Sequence, residues 1–443
     1  MSTARTFRVE PGGALRGRLR VPGDKSISHR AIILGSLADG VTEIDGFLEG
    51  ADAIGTIHAF RRLGIEINGP DRGRVVVHGR GIDGLRAPDG PLDLGNSGTS
   101  MRLLAGLLAA QPFDTELIGD ASLMRRPMKR VTEPLALMGA RIEAADAGTP
   151  PLRIRGGRAL VGIEYDSPVA SAQVKSALLL AGLYADGRTL VREPAESRDH
   201  TERMLGGFGY DVERGPLRSA VMGGGRLRAC AVDIPADISS AAFFLVGATI
   251  APGSDLVLEH VGMNPTRTGV IEVLRAMGAN IEVLAERTAG GEPVADLRVR
   301  AAELHGIDIP ADVVPRAIDE FPALFIAAAC AQGTTRLTGA EELRVKESDR
   351  IQVMAEGLHV LGVDARPTQD GIEITGGRLH GGRVDSAGDH RVAMSFAIAG
   401  LRAGSAITID DCRNVDTSFP GFVDGARGVG LDIRAFNARG AGT

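Results

Sequence analysis

The sequence predicts an α/β protein of two domains, on three observations. At 443 residues the chain exceeds the size at which one hydrophobic core keeps growing, so it is expected to divide. Apolar, Ala-rich runs of helical character recur at 30–38, 101–110, 174–185, 240–250, 323–331 and 392–401. Most close on a turn with glycine or proline, and a short β-prone run follows each, at 41–44, 115–118, 189–191, 256–258, 334–337 and 406–409. The turns fall roughly 66 to 80 residues apart, which suggests six copies of one helix–strand–helix–strand unit.

A second helix in each unit ends on a hydrophobic residue and glycine just before another short strand. Leu63-Gly64, Met138-Gly139, Phe208-Gly209, Met277-Gly278, Leu361-Gly362 and Val429-Gly430 are the instances. Glycine there suits the left-handed residue that closes a helix C-terminus. The first helix of each unit is apolar on nearly all faces, as in Ala177-Leu-Leu-Leu-Ala181 and Phe243-Phe-Leu-Val246, and must be buried. Helices inside and sheets around them are therefore expected in each domain. Val21-Pro22-Gly23 and Ile234-Pro235-Ala236-Asp237 punctuate the chain where crossings are expected. They divide it into a discontinuous domain, 1–22 plus 235–443, and a continuous one, 23–234, with three repeats each.

Composition narrows the function classes. A net charge of −6 argues against general nucleic-acid affinity. No apolar run approaches the roughly 20 residues of a membrane span, and the first residues lack the apolar core of a signal peptide. Cys230, Cys330 and Cys412 are scattered, giving neither a disulfide framework nor a metal-ligand spacing. A cytoplasmic location is expected, with no membrane partner.

Polar chemistry collects where the buried helices begin. Val21-Pro-Gly-Asp-Lys-Ser-Ile-Ser-His-Arg30 sets a turn and a cluster of Lys25, Ser26 and Arg30 at a predicted helix start, which suits phosphate or carboxylate. It is not a P-loop, because Asp24 stands where that motif needs glycine before the Lys-Ser pair. A capped helix with a solvated basic end is the bland alternative. Gly95-Asn-Ser-Gly-Thr-Ser100 and Arg102 open the second unit, and its connecting loop carries Gly119-Asp-Ala-Ser-Leu-Met-Arg-Arg-Pro127. Ser167-Pro-Val-Ala-Ser-Ala-Gln-Val-Lys175 and Ser197-Arg-Asp-His-Thr-Glu202 mark the third.

Asp312, Asp319 and Arg344-Val-Lys-Glu-Ser-Asp-Arg350 mark the fifth unit, and Asp389-His-Arg391 the sixth. Taken singly, Lys346, Glu347 and Arg350 are compatible with a solvated, ion-paired helix face. Asp319 and Asp389 are compatible with helix caps, and Ser171 and Gln173 with local backbone partners. Their recurrence at equivalent helix ends points instead to one site for multiply anionic substrates with acid–base chemistry.

In this order and spacing the motifs resemble those of 5-enolpyruvylshikimate-3-phosphate synthases over essentially the whole chain. The residues that carry the resemblance are Gly23-Asp-Lys-Ser-Ile-Ser-His-Arg30, Leu94-Gly-Asn-Ser-Gly-Thr99, Arg126-Pro127, Ser171-Ala-Gln173, Asp319-Glu-Phe-Pro322, Val345-Lys-Glu-Ser-Asp-Arg350 and Asp389-His-Arg391. Arg198-Asp-His-Thr-Glu202, Ser171-Ala-Gln-Val-Lys175 and Asn264-Pro-Thr-Arg267 resemble the class II members. The resemblance implies two domains of three repeats with the active site in the cleft between them. It also implies transfer of the enolpyruvyl group of phosphoenolpyruvate to the 5-hydroxyl of shikimate 3-phosphate, with release of phosphate and without metal or cofactor. A monomer is expected.

Carried over by motif, Lys25, Ser26, Arg30, Ser171, Gln173, Ser197, Arg198, Asp319 and Lys346 would hold shikimate 3-phosphate. Lys25, Gly98, Arg126, Gln173, Arg350 and Arg391 would hold phosphoenolpyruvate. Asp319, with Lys346 beside it, would take the hydroxyl proton; Glu347 would protonate the methylene carbon, and Lys25 would assist phosphate departure. An acidic Glu347 needs a raised pKa, which burial on closure would supply against nearby arginines.

Two departures stand out. Thr417-Ser-Phe-Pro420 lacks the lysine that some members carry before Thr-Phe-Pro, and Glu342 stands where others have asparagine. UDP-N-acetylglucosamine enolpyruvyl transferase is the enzyme alternative, but the loop Gly119–Pro127 lacks that family's cysteine. A non-catalytic anion-binding protein on the same scaffold would be expected to have lost Asp319 or Glu347, and both are present.

Overall fold

The computed structural model describes residues 5–437. Two compact units make up the chain. One takes the N-terminal segment as far as Pro22, Pro235–Arg287 and the chain from Pro293 on; the other takes Gly23–Ile234 and Thr288–Glu292. Each has its own hydrophobic core.

In the unit built on Gly23–Ile234, the helices Lys25–Leu37, Gly98–Leu108 and Ala172–Gly182 are buried over most of their length. Their sequences are apolar on too many faces to tolerate water, so sheets must cover them. Strand Ala38–Asp45 follows the first helix. It pairs antiparallel with Arg74–Arg80 and parallel with Leu227–Arg228 and Ala231–Asp233. Thr115–Ile118 and Arg188–Arg192 are placed alike, each with one parallel and one antiparallel neighbour. Gly106 lets two of the buried helices approach: a Cβ there would lie 2.1 Å from the Ala177 carbonyl oxygen.

The other unit buries Ile238–Ile250, Phe321–Ala329 and His390–Ala399 along their whole length. Strands Asp255–Gly262 and Ile407–Asp410 again have one parallel and one antiparallel neighbour. Thr334–Leu337 pairs antiparallel with Ile372–Thr375. Among the described residues there are three sheets in each unit.

Gly64, Gly139, Gly209, Gly278, Gly362 and Gly430 all have positive φ. At each, the next residue's N–H reaches back to close the helix, as in Ile65 N to Phe60 O at 3.0 Å and Val363 N to Leu358 O at 3.0 Å. This is the Schellman closure, which satisfies carbonyls that the helix end leaves open. The buried helices begin a few residues earlier than their apolar runs, and polar residues fill much of the first turn of those that start at Lys25, Gly98 and His390. Asp24, Ser97, Ser171, Asp237 and Asp389 each accept a backbone N–H at a helix start. No helix among the described residues is long and apolar enough to cross a membrane.

Candidate active site

Asp24 caps the helix Lys25–Leu37 by accepting from Ile27 N at 2.9 Å, and this fixes where Lys25, Ser26 and Arg30 point. Lys25 Nζ lies 3.3 Å from Asp52 Oδ2. Arg30 is buried; it donates from Nε to Thr201 Oγ1 at 2.6 Å, from Nη2 to Ser176 Oγ at 2.7 Å and from Nη1 to the Ser26 carbonyl at 3.0 Å. Burial pulls the Arg30 pKa down to about 10, with Glu202 and Asp24 opposing and Arg198 adding to the fall. It remains cationic at neutral pH.

His29, between these residues, faces the core. Its Nδ1 lies 2.7 Å from Thr56 Oγ1 and 3.2 Å from Ser100 Oγ, and Nε2 has no partner. Burial first, then Lys25 and Arg30, hold its pKa down to about 3. The unfolded chain takes up a proton near pH 6.5 that the folded chain refuses, so stability is full above pH 6.5 and falls as pH drops towards 3. His29→Leu should flatten the acid limb of a stability–pH curve by about 1.4 kcal/mol per pH unit below 6.5. Parallel curves for the two proteins in urea titrations would contradict this.

Ser97 caps the helix that begins at Gly98. Arg102 Nη1 donates to Gln173 Oε1 at 2.9 Å, and Gln173 Nε2 donates to Thr99 Oγ1 at 3.0 Å. Gln173 is thereby held in one orientation. Arg126 Nη2 donates to Asn96 Oδ1 at 2.7 Å. A Cβ on Gly98 would meet Arg102 Nη1 at 2.7 Å and Arg126 Nη1 at 3.1 Å, so glycine is what lets both guanidinium groups close over this helix start.

Ser171 caps the third helix start through Val174 N, and its own N–H donates to Glu193 Oε1 at 2.8 Å. Ser197 Oγ lies 2.7 Å and 2.8 Å from the two Glu193 oxygens. Lys175 Nζ sits between Glu193 Oε2 at 2.8 Å and Glu202 Oε1 at 3.0 Å. Burial works against the Lys175 ammonium, but Glu202 and Glu193 outweigh it and hold its pKa above the ordinary value. Arg198 stands on the segment leading into helix His200–Gly207.

In the other unit Arg350 is the centre. Its side chain is 1% exposed, yet it donates from Nε to Asp389 Oδ2 at 2.8 Å, from Nη2 to Glu347 Oε2 at 2.6 Å and from Nη1 to Asp319 Oδ1 at 3.3 Å. Burial would lower its pKa, but Asp389, Glu347 and Asp319 outweigh that and push it up. Burial likewise opposes the Asp389 carboxylate, and Arg350 overcomes it and holds the pKa low. Lys346 Nζ lies 3.6 Å from Asp319 Oδ1 and donates to Glu342 Oε1 at 2.8 Å. Arg391 Nη1 donates to the Asp319 carbonyl at 3.2 Å.

The candidate residues thus assemble into two clusters, one on each unit. Lys25, Ser26, Arg30, Gly98, Arg126, Ser171, Gln173, Ser197 and Arg198 lie on the unit of Gly23–Ile234. Asp319, Lys346, Glu347, Arg350 and Arg391 lie on the other.

Several bland alternatives are now decided. Lys346, Glu347 and Arg350 do not share a helix face: a 3-10 turn ends at Val345, and the next helix begins only at Arg350, capped by Asp349. The Asp side chain stops the helix from extending backward, so Lys346 and Glu347 sit on a loop. Asp389 is a cap and an ion-pair partner at once. Asp319 is not the cap of helix Phe321–Ala329, whose N-cap position is Glu320. Glu342 is bound to Lys346, and Thr417 ends a short 3-10 helix with its hydroxyl donating to Asn414 O at 2.6 Å.

Sequence reasoning did not single out Glu193, Thr201 or Ser176, which anchor Ser171, Ser197 and Arg30. Thr201 and Ser176 lie far along the chain from Arg30, and Glu193 precedes Ser197 by four residues on a non-helical segment where that spacing is no signal. Among the described residues no group of three or more His, Cys, Asp or Glu side chains is placed to hold a metal.

Residues 9–425 match the family of EPSP synthase (3-phosphoshikimate 1-carboxyvinyltransferase). A 3-phosphoshikimate 1-carboxyvinyltransferase of Methylococcus capsulatus is 67% identical over 427 residues, covering 96% of this chain and 98% of the relative. That of Alkalilimnicola ehrlichii is 67% identical over 435 residues, covering 98% of each. The structure of an EPSP synthase from Acinetobacter baumannii superposes with a TM-score of 0.90 at 56% identity, covering 98% of this chain and 100% of the other. With the anion-suited helix starts on one unit and the Asp319–Arg350–Glu347 cluster on the other, these matches establish that the chain belongs to the EPSP synthase family.

Proposed function

We infer that the chain transfers the enolpyruvyl group of phosphoenolpyruvate to the 5-hydroxyl of shikimate 3-phosphate, releasing inorganic phosphate. The observation that carries the residue assignment is Arg350, which gathers two candidate proton-transfer carboxylates, Asp319 and Glu347, around one guanidinium. The reaction needs both. The enolpyruvyl carbon accepts the hydroxyl only as its methylene is protonated, so an acid and a base must flank one tetrahedral centre.

Asp319 takes the hydroxyl proton, with Lys346 and Arg350 beside it to offset charge. Glu347 delivers a proton to the methylene carbon. Because its Oε2 accepts from Arg350, the acid proton belongs on Oε1. Lys25, Arg126, Arg350 and Arg391 hold the phosphate and carboxylate of phosphoenolpyruvate, and Gln173 orients it. Lys25 also stabilises the departing phosphate. Ser26, Arg30, Ser171, Gln173, Ser197 and Arg198 hold shikimate 3-phosphate. The two clusters belong to different units, and the assignment gives each unit its own share of the substrate contacts.

Protonation of the methylene carbon, with addition of the hydroxyl oxygen next to it, gives a tetrahedral intermediate bearing a methyl group; loss of any one methyl hydrogen as a proton, together with phosphate, regenerates the vinyl group in the product. In D₂O the vinyl hydrogens of the product should therefore be partly deuterated, read by mass spectrometry or NMR. A product free of deuterium would exclude protonation at that carbon. Gly98→Ala should raise the phosphoenolpyruvate KM about tenfold, because its methyl displaces the Arg102 and Arg126 guanidinium groups while leaving the fold intact. A KM within twofold of the parent in steady-state assays would show, contrary to this, that those groups move at no cost.

A further inference from the structure

We propose that Glu193 is a positioning residue for the phosphate of shikimate 3-phosphate: it holds the Ser197 hydroxyl until that phosphate claims it. The inference rests on the assignment of Ser171 and Ser197 to this substrate.

Glu193 is 3% exposed at its side chain, and its two oxygens collect donors from three places. Ser171 N–H reaches Oε1 at 2.8 Å, Ser197 Oγ reaches both oxygens, and Lys175 Nζ reaches Oε2 at 2.8 Å. A carboxylate and a phosphate ask for the same donors. Glu193 holds donors that a phosphate would also use.

A serine hydroxyl has one proton to give. Ser197 therefore cannot donate to Glu193 and to a phosphate oxygen at once; binding must turn the hydroxyl from one acceptor to the other. Lys175 makes that exchange tolerable. It is gripped from the far side by Glu202, which also accepts from Ser219 Oγ at 2.8 Å. Its raised pKa keeps it cationic. When Ser197 turns away, Glu193 keeps the ammonium and the Ser171 amide, so it is not left as an uncompensated buried charge.

The arrangement also favours a phosphorylated substrate over its dephospho counterpart. Two carboxylates, Glu193 and Glu202, share the Lys175 ammonium. A neutral hydroxyl gains little by competing with Glu193 for the Ser197 proton, whereas a phosphate dianion is a strong enough acceptor to win it. Glu193 thus acts through Ser197 and Ser171 without touching substrate.

Glu193→Asp keeps the charge opposite Lys175 but draws the oxygens back from both serines. It should raise the KM for shikimate 3-phosphate about tenfold, leave kcat and the phosphoenolpyruvate KM within about threefold, and leave the melting temperature nearly unchanged. Calorimetry should show the preference for shikimate 3-phosphate over shikimate falling at least about fivefold. In the Ser197→Ala background the part of the Glu193→Gln effect that runs through Ser197 should vanish, leaving only what runs through Ser171 and Lys175, so the double variant should cost clearly less than the product of the two single effects.

An unchanged KM for shikimate 3-phosphate in Glu193→Asp would overturn the proposal. So would equal loss of shikimate and shikimate 3-phosphate binding, or multiplicative effects in the double variant. If the parent protein itself fails to bind shikimate 3-phosphate, the functional assignment fails instead, and the two failures are told apart by that control.

Discussion

Arg350→Met should abolish measurable turnover and strongly destabilise the unit that contains it. The guanidinium is nearly inaccessible to water and answers Asp389, Glu347 and Asp319 together. Removing one partner of a buried ion pair leaves an uncompensated charge, at a cost of about 3–5 kcal/mol. Asp389 bears most of this, being 0% exposed and in contact with Arg350 Nε at 2.8 Å. Adding Asp389→Asn should restore much of the lost stability, because the amide no longer needs a counter-charge. It should not restore turnover, since Asp319 and Glu347 would still lack the group that gathers them. Urea titration and steady-state kinetics on the two proteins separate these effects. Recovery of turnover together with stability would mean that Arg350 serves only the fold.

Glu347→Gln and Asp319→Asn should each lower kcat by about 10²-fold or more, with smaller changes in either KM. Both substitutions keep size and hydrogen-bonding capacity close to the original, and both remove the ability to carry the proton. Glu347→Gln should additionally suppress deuterium entry into the vinyl group. Asp319→Asn should leave phosphoenolpyruvate binding intact in the presence of shikimate 3-phosphate. Turnover equal to the parent in either variant would remove that residue from the proton-transfer role and leave it as a structural partner of Arg350.

The sequence revealed the helix starts because capping is local. Ser97, Ser171 and Asp389 stand close before apolar helical runs, Asp24 stands before a longer polar first turn, and each caps its helix as such residues do. The helix-ending glycines were equally legible, since only a short pattern around one positive-φ residue is needed. Helix starts at 344–350 were not, because Asp349 is a capping residue inside a charged stretch whose spacing also fits a helix face. Only the side-chain contact with Gln352 N decides between them.

The supporting contacts were hidden for a different reason. Arg30 finds Thr201 and Ser176, and Lys175 finds Glu193 and Glu202, only after separate helices and sheets pack together. Such pairs obey no periodicity. What the sequence does carry is the cost of leaving a buried charge unpaired, so a lysine inside the apolar run 174–185 was already a sign that carboxylates had to be found elsewhere.

The activity is tested most directly by following phosphate release from phosphoenolpyruvate with purified protein. Release should begin only when shikimate 3-phosphate is added, with one phosphate formed per enolpyruvyl product. Release driven by UDP-N-acetylglucosamine instead, or release that does not depend on shikimate 3-phosphate, would contradict it.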